Sequence, residues 1–312
     1  MPPVLFPYLL ITWGLLTMGA IFALITGLCW ASYNLSVRRG MAAMDSGVGY
    51  VVVLVFGSIA NLLWLLFPLP GRGAPMTHWL AVLLFIVAGF STTLLGRWVY
   101  FKSVKMLGPS RASAWKNASP LYTLLFGYLL LGEKPGVITL VGTAIILAGL
   151  LFLSREQSQS VTEVKASGQL TTAIFLGVAS GAAFSAGMLL RKAGLNLWPD
   201  PAAGNVIGGL AAFAAYMPFA FAKGEVAQVA KAPWKGVSAF LWAGCFSALA
   251  QLFTFLSLRE IPAASTQVIT AMEPIFTIFL SALLLRKQEG LNIRLVSSAA
   301  LVCTGVALIS LY

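Results

Sequence analysis

The sequence predicts an all-α polytopic membrane protein of about ten transmembrane helices, built as two inverted five-helix repeats. Three observations carry this. Of 312 residues, 59% are hydrophobic and only 9% charged, whereas soluble domains carry about 25% charged residues, so most of the surface faces something other than water. The apolar residues fall in ten successive runs of roughly 20, the length that crosses about 30 Å of hydrocarbon at 1.5 Å per residue. Patterns in the first half return, in order, in the second. Lipid offers the backbone no hydrogen bonds, so each run must satisfy its own peptide groups; lacking strand-like alternation, it does so as a helix.

The spans are read at 18–37, 47–68, 78–101, 108–131, 135–153, 171–190, 202–222, 235–258, 263–285 and 291–311. Basic residues punctuate them. Arg38 and Arg39 follow the first, Arg72 the second, Lys102 and Lys105 the third, and Lys134 the fourth. Arg191 and Lys192 follow the sixth, Lys223, Lys231 and Lys235 the seventh, Arg259 the eighth, and Arg286 and Lys287 the ninth. The fifth precedes the stretch that reads as an exposed linker, 154–170, where Arg155, Glu156, Glu163 and Lys165 stand among Ser, Gln and Thr. This linker divides a first repeat, 18–153, from a second, 171–312. Residues 1–17 are apolar but lack the basic start and small-residue cleavage site of a signal peptide, and they are read as an N-terminal extension outside the bundle.

An offset of 153 places Ala20-Ile21-Phe22 on Ala173-Ile174-Phe175, Ser32 on Ser185, Arg38-Arg39 on Arg191-Lys192, and Pro109 on Pro262. One residue later in register, Pro120 falls on Pro274, Thr123 on Thr277, Leu129-Leu130-Leu131 on Leu283-Leu284-Leu285, and Gly136 on Gly290. Leucine matches are cheap, but paired prolines inside apolar helices are not. Five helices per unit is an odd number, so the second unit enters the membrane upside down relative to the first. Such inverted repeats suit transporters, because two similar halves can exchange conformations around one central site.

The net charge of +11 is dispersed over connections and forms no basic face, so it signals topology and no nucleic-acid partner is expected. Eleven basic residues follow odd-numbered spans and five follow even-numbered ones, which puts the odd connections in the cytoplasm and both termini outside. Cys29, Cys245 and Cys303 each lie in an apolar run with no CxxC spacing, and His78 is the only histidine, so no disulfide framework, metal site or cofactor is expected. No phosphate-binding G-x-x-x-x-G-K-[ST] occurs, which removes ATP as a direct energy source.

Pro120 and Pro274 each remove a backbone donor and free a carbonyl at membrane depth, which marks them as gating candidates. Glu273 is the only acidic residue deep in a predicted span. A charge there costs roughly 2.5–3.5 kcal/mol on insertion scales, so it must meet a partner, water or a substrate amine, or carry protons as the coupling ion. Lys116, four residues before Pro120, is its candidate partner. Arg97 offers a second such partner, although snorkelling towards headgroups is the favoured reading. Trp30, Ser32, Tyr33 and Asn34 cluster in the first span, and Trp98, Tyr100, Trp115 and Ser185 add aromatic and polar surface; either substrate lining or packing accounts for them. Gln251 and Thr254 bring hydrogen-bonding groups to the eighth span, and Gln267, Thr270 and Glu273 share one face of the ninth at three-residue spacing.

The run Ser119-Pro120-Leu121-Tyr122-Thr123, then Leu129-Leu130-Leu131-Gly132-Glu133-Lys134, then Gly142 and Gly149, resembles the signature of the EamA-type branch of the drug/metabolite transporter superfamily. The second half repeats it as Glu273-Pro274-Ile275-Phe276-Thr277, Leu283 to Leu285, Gly290 and Gly305, and departs at Arg286-Lys287, where Leu-Gly-Glu is replaced. The resemblance implies ten helices in two inverted units, a bacterial inner-membrane location, and export of amino acids or related metabolites and drugs. It also implies cytoplasmic termini, opposite to the charge count. The expected function is thus secondary export of small metabolites, above all amino acids with apolar or aromatic side chains, by alternating access. Multidrug export, carriage of another metabolite, and a passive channel or scramblase are the alternatives. An intramembrane enzyme is disfavoured, since an aspartyl protease needs two deep carboxylates and a serine type a Ser/His pair.

Overall fold

The computed structural model describes residues 5–107, 116, 119–157, 169–285, 297, 300, 301, 304, 305 and 308. Among these every regular element is helical. Helix α1 (Leu5–Met41) continues unbroken from the apolar N-terminal stretch through the first span. Asp45 caps α2 (Ser46–Leu63) by accepting the Gly47 N–H at 2.7 Å, which satisfies one of the orphan donors of a helix start. Next, α3 (Leu80–Gly89), a π-helical stretch (Phe90–Gly96) and α4 (Arg97–Leu107) follow one another without interruption. The first half closes with α5 (Ser119–Leu131) and α6 (Val137–Gln157).

In the second half, α7 (Gln169–Leu197) leads to α8 (Pro201–Ala222), whose start combines Pro201 in the first turn with the Asp200 carboxylate on the Ala203 N–H at 3.0 Å. A single turn, α9 (Glu225–Val229), precedes α10 (Trp234–Glu260), α11 (Ala263–Thr270) and α12 (Glu273–Leu285). Six stretches are long and apolar enough to cross a membrane: Met18–Met41, Ser46–Leu66, Leu80–Tyr100, Ile174–Leu197, Pro201–Ala222 and Trp234–Glu260. Ser119–Leu131 and Val137–Gly149 are shorter apolar helices.

Helix α1 starts well before 18 and the third span runs on to Leu107, and two further differences from the sequence expectation bear on the site. The sixth span does not stop at 190 but runs to Leu197, because Arg191-Lys192 is followed by further apolar residues before Pro199; both basic residues therefore sit inside a helix and not in a connection. The ninth is not one kinked helix but two, broken at Ala271-Met272. There the Ala271, Met272 and Ile275 N–H groups reach back three residues, to Val268, Ile269 and Met272. Pro274 has no N–H to give the Thr270 carbonyl, so the regular ladder cannot pass this point. Most of the predicted tenth span and much of the linker lie outside the described residues.

The helices pack in pairs that match when the halves are exchanged. In the first direction, α1 lies against α10, α11 and α12; in the other, α7 lies against α3, α4 and α5. Likewise α2 meets α10 where α8 meets α3, while α2–α8 is a contact between corresponding helices and α5 also meets α11. Glycines bring these helices close, since in lipid close packing replaces hydrophobic expulsion as the main attraction. A Cβ on Gly89 would lie 2.2 Å from the Gly208 carbonyl oxygen, and one on Gly244 3.2 Å from that of Val53. Gly305 of the tenth span meets Gly142 and Ile146 of α6 in the same way. The apolar core sits in three clusters around the long helices: Ala20, Ala23 and Val268; Phe85, Leu189 and Phe255; and Tyr33, Val52 and Phe240.

Candidate functional site

Where α1, the π-helical stretch, α7, α10 and the α11–α12 break converge, they enclose a chamber of about 190 Å³. Helical periodicity selects what α1 presents to it: Trp30, Tyr33, Asn34 and Val37 lie three, four and seven apart, on one face. Ser32 lies outside that face. It bonds the Leu28 carbonyl at 3.0 Å and lines a separate groove with Leu35, Ser36 and Arg39.

The break between α11 and α12 places Glu273 at the chamber wall, in the first turn of α12. Asn34 donates to Glu273 Oε1 at 2.6 Å, and Lys116 Nζ lies 3.9 Å from Oε2. The partnership anticipated between Lys116 and Glu273 is thus present, with Asn34 as a second partner. Lys116 also faces the rings of Tyr100 and Phe184, at 5.5 and 5.4 Å. Upstream, Gln267 donates to Ser119 Oγ at 2.7 Å, tying the two halves together across the chamber. Among the described residues, no hydrogen-bond partner meets the buried Thr270 Oγ1.

A π-helical turn carries an extra residue, so its carbonyls turn towards neighbours instead of the next turn. The Thr93 carbonyl takes the Tyr50 hydroxyl at 3.1 Å, and Thr92 and Thr93 face the chamber. Immediately after it, Arg97 lines the chamber and does not snorkel. Its Nη1 donates to Tyr33 Oη at 2.6 Å, and its guanidinium stands 5.2 and 5.0 Å from the Tyr33 and Tyr50 ring centres. A cation–π pair out of water is worth about 2 kcal/mol, enough to hold the group inward. Arg191, 6% exposed, reaches in from α7 and donates from Nη2 to Thr92 Oγ1 at 3.1 Å and Gln251 Oε1 at 3.3 Å, above the Phe255 ring.

Of the residues singled out from sequence, Trp30, Tyr33, Asn34, Tyr100, Lys116, Gln251, Thr254, Gln267, Thr270 and Glu273 line this chamber. Trp98 is 55% exposed on the outside of α4, with Lys102 Nζ 3.6 Å above its ring, the arrangement of an interfacial anchor. Ser185 is fully buried and bonds the Ser119 and Gly181 carbonyls at 2.7 and 3.0 Å, which makes it a strut between α5 and α7. Pro120 is buried in α5 beside the chamber, not in its lining. Trp115 and the side chain of Pro274 lie outside the described residues. Both prolines nonetheless sit four residues beyond a lining residue, Lys116 and Thr270, and so withhold the donor that each of those carbonyls would take.

Arg191, Thr92, Thr93, Ser119 and Phe184 were missed. Arg191 was discoverable from Ala193, Leu195 and Leu197, which extend the apolar run beyond it. Nothing in the sequence marks a π-helical turn at 90–96. The glutamate of the Leu-Gly-Glu run also finds a place: Glu133 Oε1 accepts the Ala263 N–H at 2.9 Å, so a residue of the first half caps the start of α11 in the second.

The EamA-like transporter family matches the chain twice, at residues 17–155 and 171–311. An uncharacterized transporter of Haemophilus influenzae is 22% identical over 267 residues, covering 85% of this chain and 83% of its own. A protein known from its crystal structure superposes with a TM-score of 0.72 at 15% identity, over 93% of this chain and 95% of its own, and so shares the fold.

Proposed function

The chain belongs to the EamA-like transporter family and is a multi-pass membrane protein; from that premise we propose that it is a secondary exporter of small metabolites, most of all amino acids with apolar or aromatic side chains, working by alternating access across a bacterial inner membrane. The observation that carries this reading is the chamber. It sets a few polar and charged groups in a largely apolar lining, lies among helices of both halves, and contains Glu273 held by Asn34 and Lys116. Aromatic rings from Trp30, Tyr33, Tyr100 and Phe184 supply the apolar wall that an amphipathic solute needs. A volume of about 190 Å³ is below the 300–1,000 Å³ typical of drug-sized sites, which favours a metabolite over a bulky drug.

The mechanism follows from exchange of halves. Contacts that map onto each other when the repeats are swapped support an inverted repeat, and two equivalent broken or proline-bearing segments, near Lys116-Pro120 and Thr270-Pro274, support hinges on either side of one site. Eleven basic residues follow the odd-numbered spans and five, Arg72, Lys134, Arg191, Lys192 and Arg259, the even ones. That bias supports odd connections in the cytoplasm and termini outside. Among the described residues Glu273 is the chamber's only carboxylate, so it is the proposed carrier of a coupling proton. Counterflow of labelled amino acids in proteoliposomes, with and without a pH gradient, tests the reading. The wild type should respond to the gradient and Glu273→Gln should exchange substrate yet ignore it; gradient-driven uptake unchanged in the variant would remove Glu273 from the coupling, and no flux for any amino acid would refute the substrate assignment.

A further inference from the structure

The charges around the chamber do not balance. Among the described residues it is lined by three cations, Arg97, Arg191 and Lys116, and one carboxylate, Glu273. The carboxylate stands beside Lys116. Neither guanidinium has a carboxylate at ion-pair distance among the described residues. Arg97 is met by tyrosine rings and one tyrosine hydroxyl. Arg191 is the more exacting case. It is 6% exposed, its bonded partners are a neutral hydroxyl and a neutral amide, and both bonds leave from Nη2. Its Nε and Nη1 donors have no acceptor among the described residues.

A guanidinium is always charged and cannot relieve its burial by releasing a proton. A chain that keeps it at membrane depth without an anion therefore leaves the compensating charge to whatever enters the chamber. We propose that the transported solute is an organic anion of net negative charge, whose carboxylate is taken by the open donors of Arg191. Gln251 and Thr92 position that guanidinium, holding Nη2 so that the remaining donors face the chamber. The rings of Trp30 and Phe184 then receive the solute's apolar part. Lipophilic cations meet three like charges against one carboxylate and are excluded. This rests on the chamber being the substrate site, as argued above, and narrows the class to N-acylated amino acids with apolar or aromatic side chains and related carboxylates.

The test holds ring and size nearly constant while changing charge. Purified protein in detergent is titrated with phenethylamine, phenylalanine and N-acetylphenylalanine, and binding is read from the shift of its melting transition. The anion should bind tightest, with phenethylamine, which has no carboxylate for Arg191, giving no shift, and phenylalanine weaker by roughly tenfold because its ammonium is repelled by the chamber's surplus of cations. Arg191→Gln should erase the ranking, and Arg191→Lys, which keeps the charge, should retain it in weakened form. Phenylalanine or phenethylamine binding as tightly as the anion, an unchanged ranking in Arg191→Gln, or binding of none of the three overturns the proposal. If Arg191→Gln shows no cooperative melting, the wild-type ranking and Arg191→Lys decide. Flux of the same three labelled compounds into proteoliposomes is measured separately: an anion that binds through Arg191 but is never carried sinks the transporter reading and leaves the anion site standing, whereas carriage of phenethylamine with no anion preference does the reverse.

Discussion

The dibasic pair that closes the first span of each half does opposite things in the two halves. Arg38 and Arg39 are exposed in the last turn of α1. Arg191 and Lys192, their counterparts at an offset of 153, are inside α7, where Arg191 reaches the chamber and Lys192 donates to the carbonyls of Leu258 and Ile261 at 2.6 and 3.1 Å. The difference arises because α7 continues for several more residues while α1 stops two after its pair. A repeat duplicates sequence, but the end of a helix decides whether a cation anchors at the surface or serves the interior. The two halves therefore bring matching pairs of helices into contact but give the chamber different chemistry: Ser119 stands, at an offset of 154, where the second half has Glu273, and Lys116 where it has Thr270.

Substitutions at paired positions sharpen this contrast. Arg191→Leu should lower counterflow by roughly 100-fold, the effect of losing a charge-assisted contact of up to about 3 kcal/mol, whereas Arg38→Leu should leave it within about twofold; equal losses at both would mean that the pairs act alike. Lys192→Met leaves two carbonyls at the end of α10 without their donor and should lower stability by about 1–3 kcal/mol, seen as a fall in melting temperature in a fixed detergent. Arg39→Met should change it by less than about 0.5 kcal/mol. A smaller contrast is expected between helix contacts. Gly89→Ala forces a Cβ onto the Gly208 backbone and should cost about 1–3 kcal/mol. At Gly57 the nearest atom, the Gly244 carbonyl oxygen, is 3.5 Å from an added Cβ, and alanine's helix preference of up to about 1 kcal/mol offsets any crowding. Comparable loss at Gly57 would show that the α2–α10 contact is as tight as the α3–α8 one.

Much of the fold was legible because membrane helices announce themselves by length and apolarity, so the second, seventh and eighth spans agree with the structure within a few residues, as does the end, though not the start, of the first. The errors share a cause: a charge was read as a boundary. Arg191-Lys192 was taken to end a helix and Arg97 to reach for headgroups, although the tyrosines that hold Arg97 inward, Tyr33 and Tyr50, are distant in sequence and become its neighbours only through packing. Within α1 the information was present but unused. Ser32, Leu35, Ser36 and Arg39 repeat at the same three-four-seven spacing as Trp30, Tyr33, Asn34 and Val37, and a helix separates these two stripes onto different faces. The break at Ala271-Met272 goes beyond what Pro274 announces, since a missing donor says that the ladder is interrupted but not how far the chain unwinds. The π-helical stretch left no local trace at all, because it is a product of its surroundings and not of propensity.

The central claim is that one chamber between the two halves opens in turn to each side of the membrane. Its most direct test is thiol accessibility at Met188, a chamber-lining position, by Met188→Cys in a chain whose Cys29, Cys245 and Cys303 have been replaced by alanine. A charged, membrane-impermeant thiol reagent is applied to right-side-out and to inside-out vesicles. The account predicts labelling from both sides, with a saturating substrate changing the balance between them. Labelling from one side alone, unaffected by any solute that the protein carries, would contradict it.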